Sequence, residues 1–256
     1  MIFETHAHYD DEKFDSDRDT LIPKLLGDRI CTIINVASSI NSTKTSLALA
    51  EKYDAVYAAV GVHPSDIDGL NEETFSWLKK QTNHPKAVAI GEIGLDYYWE
   101  KDPAVLSMQR HWFIEQLLLA KECSLPVIIH SRDAAADTLS ILKETCPGEL
   151  RGVIHCYSYS PELAQEFIRL GFHIGVGGVV TFKNAKKLKE TVQQIPLEKV
   201  LLETDSPYMA PEPHRGTRND SGNLPFVAEQ IAALKDISEE QVEAVTCENA
   251  KKLFHL

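Results

Sequence analysis

Short apolar runs alternate along this chain with longer, more polar stretches that read as helices, and the alternation repeats eight times. The runs are Ile2–His8, Ile30–Val36, Val56–Val62, Ala87–Glu92, Pro126–His130, Gly152–His155, His173–Val176 and Val200–Asp205. A run such as Ile30-Cys31-Thr32-Ile33-Ile34-Asn35-Val36 is apolar at almost every position, the pattern of a strand covered on both faces. Helices are predicted over Arg18–Leu26, from a cap at Asn41 or Ser42 to Lys52, and over Glu72–Gln81, Ala104–Glu122, Ala134–Thr145, Pro161–Leu170 and Asn184–Gln194. Asp15-Ser16-Asp17 gives the first of these an acidic start and Gly27 a stop. Two more, Phe226–Leu234 and Ser238–Phe254, follow a loop rich in Pro and Gly. Eight strand–helix units in 256 residues predict an α/β fold with a parallel sheet closed into a (β/α)8 TIM barrel, as a single domain over residues 1–256.

Active sites of such barrels lie at the C-terminal ends of the strands. The ionisable residues at those ends are His6, His8, His63, Glu92, His130, His155 and Asp205. Strand side chains alternate faces, so His6 and His8 share one, and two imidazoles on one face can grip a metal ion. Any one strand-end histidine is readily explained as a packed polar residue. Packing does not explain why so many apolar runs finish in a ligand-type side chain. His6, His8, Glu92, His130, His155 and Asp205 together supply the nitrogen and oxygen ligands, with a shareable carboxylate, that two divalent ions require.

Composition narrows the partners. No apolar run approaches the roughly 18 residues of a membrane span, and no basic-then-apolar leader precedes the first strand, so a soluble, cytoplasmic protein is expected with no membrane contact. The five cysteines are odd in number and widely spaced, as in reduced proteins. A net charge of −12 argues against a long basic track for duplex nucleic acid. An anionic substrate would need local positive charge, which two bound divalent ions would provide. No obligatory protein partner is evident.

Six ordered blocks carry a family resemblance that covers nearly the whole chain. They are Thr5-His6-Ala7-His8-Tyr9-Asp10, Gly61-Val62-His63-Pro64, Gly91-Glu92-Ile93-Gly94-Leu95-Asp96-Tyr97, Leu125-Pro126-Val127-Ile128-Ile129-His130-Ser131-Arg132, Ile154-His155-Cys156-Tyr157-Ser158 and Leu202-Glu203-Thr204-Asp205-Ser206-Pro207-Tyr208, the last continuing to Pro213-His214-Arg215-Gly216 and Arg218-Asn219. Together they resemble the signature blocks of the TatD family of metal-dependent hydrolases and deoxyribonucleases, within the amidohydrolase-like superfamily. The resemblance implies that His6, His8, Glu92 and Asp205 surround one ion, that Glu92, His130 and His155 surround a second, and that Glu92 bridges them. Related amidohydrolases often bridge with a carbamylated lysine; a carboxylate in that place fits Mg2+ or Mn2+, and the four histidines also suit Zn2+.

The family usually has Asp where this chain has Glu4. Period-two alternation puts Glu4 beneath His6 and His8, and Glu203 beneath Asp205, so the two carboxylates are expected to meet under the site and one of them to orient a ligand imidazole. The competing expectation is that Glu203 turns away into a salt bridge. The implied reaction is hydrolysis of DNA phosphodiesters by a metal-activated water, with Asp205 as proton acceptor and Glu92 at the catalytic centre. His63, Arg132, His214 and Arg215, with Arg218, are candidates to hold phosphate. Tyr97, Tyr98, Trp99, Tyr157, Tyr159, Phe182 and Tyr208 lie in loops above the barrel, where aromatics stack splayed bases or simply wall a pocket, which favours single strands or ends as substrate. The rival readings are the same site acting on a carboxylic ester, an aminoacyl-tRNA ester or a cyclic amide, and a nonenzymatic metal- or nucleic-acid-binding protein.

Overall fold

The computed structural model describes residues 1–256 and contains one sheet of eight strands in the order β1 to β8. The strands and helices alternate as β1 (Ile2–Ala7), α1 (Arg18–Leu26), β2 (Ile30–Val36), α2 (Ile40–Lys52), β3 (Val56–Val60), α3 (Glu72–Gln81), β4 (Ala87–Asp96) and α4 (Pro103–Cys123). The second half follows as β5 (Val127–Arg132), α5 (Ala135–Thr145), β6 (Gly152–Ile154), α6 (Pro161–Arg169), β7 (Phe172–Val176), α7 (Lys186–Gln194) and β8 (Val200–Leu202), then α8 (Leu224–Lys235) and α9 (Glu239–Phe254). Neighbouring strands pair in parallel throughout. The ring closes where Asp205 N–H donates to His6 C=O at 2.9 Å and His8 N–H donates to Ser206 C=O at 2.8 Å. This is the expected (β/α)8 barrel. No helix is long and apolar enough to cross a membrane.

Several boundaries differ by a few residues from the pattern of the chain, and three of them for a clear local reason. β4 continues to Asp96 because Gly94, at φ 144°, lets its backbone lie against the His130 carbonyl, where any Cβ would overlap. β8 ends early, at Leu202, and Asp205 takes φ 59°, a left-handed conformation that Asp tolerates better than most residues and that ends the extended run. α2 starts at Ile40 because Ser39, rather than Asn41 or Ser42, caps it by accepting from Ser42 N–H at 3.1 Å.

The core has two parts. A large outer layer joins the strands to the surrounding helices and includes Ile33, Val60, Leu117, Phe167 and Ile231. A smaller inner layer fills the barrel with Phe3, Ile34, Val88, Ile128, Val153 and Leu201 and continues onto Cys247, Ala250, Leu253 and Phe254 of α9. The last helix is therefore the floor of the barrel, at the end opposite the C-terminal strand ends. Its sequence suits a stable helix: Ser238 caps it, Glu239 and Glu240 open it, and Lys251 and Lys252 close it, complementing the helix dipole at both ends. Phe254 stacks on Phe3 with ring centroids 6.2 Å apart. Phe254→Ala should leave a cavity there and lower stability by about 3–5 kcal/mol, read as a melting midpoint lower by roughly 10 °C. A change under about 2 °C by differential scanning fluorimetry, roughly a fifth of the expected shift, would mean that α9 does not seal the barrel.

Candidate metal centre

The strands deliver the charged side chains to one point. His6 and His8 bring their Nε2 atoms to 3.1 Å from each other. Nδ1 of His8 lies 2.7 Å from the Val36 carbonyl and donates to it, which directs Nε2 into the cluster. Asp205 Oδ1 stands 3.5 Å from His8 Nε2, 3.9 Å from His6 Nε2 and 3.6 Å from His155 Nε2. The two oxygens of Glu92 face different groups. Oε2 is 3.4 Å from His6 Nε2 and 3.8 Å from His8 Nε2, whereas Oε1 is 2.8 Å from His130 Nδ1, 3.8 Å from His63 Nε2 and 3.9 Å from His155 Nε2.

Ligand atoms about 2.0–2.2 Å from one ion in tetrahedral array lie roughly 3–3.5 Å from each other. The spacings here are of that size, and the donor atoms of His6, His8 and Asp205, and those of His63, Glu92 and His130, each fall within 4.8 Å of one another. The chemistry of the set, imidazole with carboxylate, is that of sites for divalent metals. The residues therefore fit such ions. His63, considered from sequence as a phosphate ligand, sits inside the imidazole cluster, its ring 4.4 Å from that of His130.

Burial and charge oppose each other in this cluster. Burial depresses the basicity of His8, but the carboxylates of Asp205 and Glu92 outweigh it and raise the pKa to about 9. His130 is buried too, yet Asp96 and Glu92 raise it to about 8. Burial likewise works against His155, and Glu203 above all lifts it to about 10. His6 and His63 go the other way: burial, helped by neighbouring imidazoles, brings each down to about 4. Glu92 is buried, but the surrounding histidines hold it well below the usual carboxylate range, and Asp205 is lowered for the same reason. Ionised carboxylates and charged rings thus coexist at neutral pH, and the carboxylates favour any cation that enters.

The groups beneath the cluster divide. Glu203 Oε1 accepts from Cys156 N–H at 2.6 Å, and its Oε2 lies 3.1 Å from His155 Nδ1, off the line of the ring N–H, so that contact is an ion pair rather than an aligned hydrogen bond. Its space exists because residue 175 is Gly; a Cβ there would overlap the Glu203 carboxylate. Glu4 reaches no imidazole. The β1–β2 register shifts between Glu4 and Ala7, and the Glu4 carboxylate accepts instead from the N–H groups of His6 and Thr204, each at 3.0 Å, and from Ser221 Oγ at 2.9 Å. Burial raises its pKa to about 7.

One residue was missed by sequence reasoning. Asp96 is buried, with Oδ2 3.2 Å from His130 Nε2 and Oδ1 accepting from the N–H groups of Tyr98 and Trp99 at 2.9 and 3.0 Å. Burial alone would raise its pKa, but the His130 imidazole holds it down to about 2. Its signal was present: Glu92 and Asp96 share period-two spacing in an otherwise apolar strand.

The cluster opens into a cavity of about 770 Å3 whose lining includes Trp99, Arg132, Tyr208 and Met209. His214 and Arg215 are not brought to it: the His214 ring packs against Phe226 at 5.1 Å, and Arg215 lies over Phe182 at 4.2 Å with Glu212 3.9 Å away. Arg218 also turns elsewhere, into a two-pronged pair with Asp17 at 2.7 and 2.6 Å. Among the loop aromatics, Tyr157 is buried with its hydroxyl on Ser160 C=O, Tyr159 bonds Ser131 C=O, and Tyr97 bonds Asp137. Tyr98, Trp99 and Tyr208 remain exposed.

A (β/α)8 barrel with a histidine–carboxylate cluster at the C-terminal strand ends has the architecture of a metal-dependent hydrolase. The profile of the family described as TatD related DNase matches residues 3–255, so the chain belongs to the TatD family and is a metal-dependent hydrolase. It is 43% identical over its full length to a metal-dependent hydrolase of Bacillus subtilis, YabD, all of which it covers. It is 32% identical to a 3'-5' ssDNA/RNA exonuclease, TatD, of Cronobacter sakazakii, over 99% of this chain and 97% of that one. The crystal structure of YJJV, a TatD homolog of Escherichia coli, superposes with a TM-score of 0.93 at 31% identity, covering 100% of this chain and 98% of that one.

Proposed function

We propose that this protein is a dinuclear, divalent-metal-dependent deoxyribonuclease that hydrolyses phosphodiesters in single-stranded or end-proximal DNA. The observation that carries the dinuclear reading is the posture of Glu92, whose two oxygens address two separate sets of imidazoles. His6, His8, Asp205 and Glu92 would hold one ion; Glu92, His130 and His155, with His63 beside them, would hold the second. Mg2+ or Mn2+ is the expected metal, with Zn2+ the alternative that the nitrogen-rich donor set favours. Bound ions supply Lewis acidity and lower the pKa of water.

The chain's own groups do the rest. Asp205 is ionised, and its partly exposed side chain faces the cavity, so it is placed to take the proton of the attacking water. The water oxygen bonds to phosphorus, the bond from phosphorus to the leaving oxygen breaks, and Asp205 returns the proton to that oxygen. Arg132 is the permanent cation of the cavity lining and is placed to hold a phosphate oxygen. DNA is favoured over other esters by this arginine and by the exonuclease named among the relatives.

The test uses purified protein stripped of metal, then reloaded with Mg2+, Mn2+ or Zn2+, on single-stranded DNA, duplex DNA and a panel of carboxylic esters, aminoacyl-tRNA esters and cyclic amides. Cleavage of single strands, lost in Glu92→Ala, is the expected result. Turnover confined to the ester and amide panel would overturn the substrate assignment, and inactivity throughout would point to a binding protein.

A further inference from the structure

Trp99 and Tyr98 are anomalous surface residues. They stand 71% and 47% exposed on the loop after β4, although aromatic side chains of this size are normally driven into the interior. The loop is anchored to the metal centre. Asp96 binds the N–H groups of both residues and also faces His130, so the aromatic pair is coupled through one carboxylate to the imidazole cluster. The two rings meet edge to face at 4.8 Å and 86°.

Arg132 completes the arrangement from the end of β5. Its guanidinium lies 4.2 Å from the Tyr98 ring centroid and 5.5 Å from that of Trp99. Arg110, Arg215 and Arg218 each face a carboxylate, whereas Arg132 forms no ion pair. It is the cavity's only arginine or lysine, in a lining that also holds Asp10, Asp11, Asp96 and Asp205. Across the mouth, after β8, Tyr208 and Met209 form the facing wall; in a ring of eight strands β4 and β8 are opposite. A cavity of about 770 Å3 between two such walls suits a ligand of roughly one or two nucleotides.

We infer that Trp99, braced by Tyr98 and Arg132, is a stacking subsite for the unpaired terminal nucleobase of a single-stranded nucleic acid, adjacent to the phosphate held at the metal centre. This rests on the nuclease reading above and adds which nucleotide is recognised and by what. Every base presents a π face, so the subsite accepts any terminal base and rejects an end without one. Arg132 places positive charge on the neighbouring phosphate while its plane stays against the rings.

The experiment compares two short single-stranded oligonucleotides that differ only at the terminal residue, a normal nucleotide in one and a tetrahydrofuran abasic analogue in the other, at both ends in turn. With metal-loaded wild-type protein the abasic terminus at the recognised end should raise KM about 5- to 100-fold, the range of one base–aromatic stack. Trp99→Ala should raise KM by a similar factor for the normal end and leave the abasic end unaffected, the change falling on KM rather than kcat, and Trp99→Phe should recover most of the loss. Equal effects of Trp99→Ala on both oligonucleotides, or none on either, would overturn the inference. Were the wild type to cleave neither, the nuclease reading would fail, and the affinity of the same pair by fluorescence anisotropy would still decide this point: equal binding of base-bearing and abasic ends rejects the stacking subsite, and base-dependent binding lost in Trp99→Ala supports it.

Discussion

Glu92→Gln should reduce metal-dependent hydrolysis on the order of 10³-fold or more and lower the bound metal from the proposed two ions to one or none. The substitution preserves size and one oxygen, so packing around this buried side chain survives; what is lost is the negative charge and one of the two acceptor oxygens. Each oxygen of Glu92 faces a different imidazole group, and an amide can present an oxygen to only one of them. Its charge also contributes, beside Asp205 and Asp96, to holding protons on His8 and His130. The check is metal content by elemental analysis after gel filtration, alongside kcat with the reloaded ion. A variant that keeps two ions and a rate near that of the wild type would remove Glu92 from the bridging position. Asp205→Asn tests the other carboxylate: it should retain more metal than Glu92→Gln while losing a comparable part of kcat, because Asp205 is assigned the proton as well as a ligand role.

Loading the metal-free protein with a divalent ion at pH 7 should release protons. His8, His130 and His155 have pKa values of about 9, 8 and 10, above the ordinary value for histidine, and so carry protons at that pH. A ring nitrogen must be neutral to bind metal, so up to three protons leave. Apparent affinity should therefore climb between pH 7 and about 10, by about tenfold per pH unit for each proton displaced, and level off above. The same linkage acts on the metal-free fold. Rings with raised pKa contribute stability that is complete below the ordinary histidine value and is lost as pH rises through about 8 to 10. His6 and His63, held at about 4, contribute the opposite way: stability present above the ordinary value is lost as pH falls toward 4. Titration of a weakly buffered sample containing a pH indicator measures the release, and a flat trace on metal addition would contradict the charge distribution described for the cluster.

Much of the barrel was legible in the chain because parallel strands buried on two faces must be apolar nearly throughout. Ile30–Val36 and Val127–Ile129 have no other stable place. The candidate ligands were legible for a related reason: a polar residue closing such a run sits at the mouth of a barrel, and two histidines spaced by one residue share a face. Boundaries were less so. The extension of β4 to Asp96 depends on the approach of Gly94 to the His130 backbone, and that contact joins residues 36 positions apart. Glu4 shows the limit of alternation, since a register shift in β1 turns its carboxylate toward Thr204 and Ser221 instead of an imidazole.

Local pattern, which needs only a residue and its near neighbours, determined the eight strands, the helices between them and the list of side chains able to bind metal. Tertiary structure decided the partners. It placed His63 within the imidazole cluster, paired Arg218 with Asp17 across 201 positions, set His214 against Phe226, brought Asp96 against His130 and folded α9 under the barrel as its floor. An arginine or a histidine carries the same charge and reach wherever it occurs. Whether it meets a carboxylate, a ring or open solvent depends on which distant segment the closed barrel sets beside it.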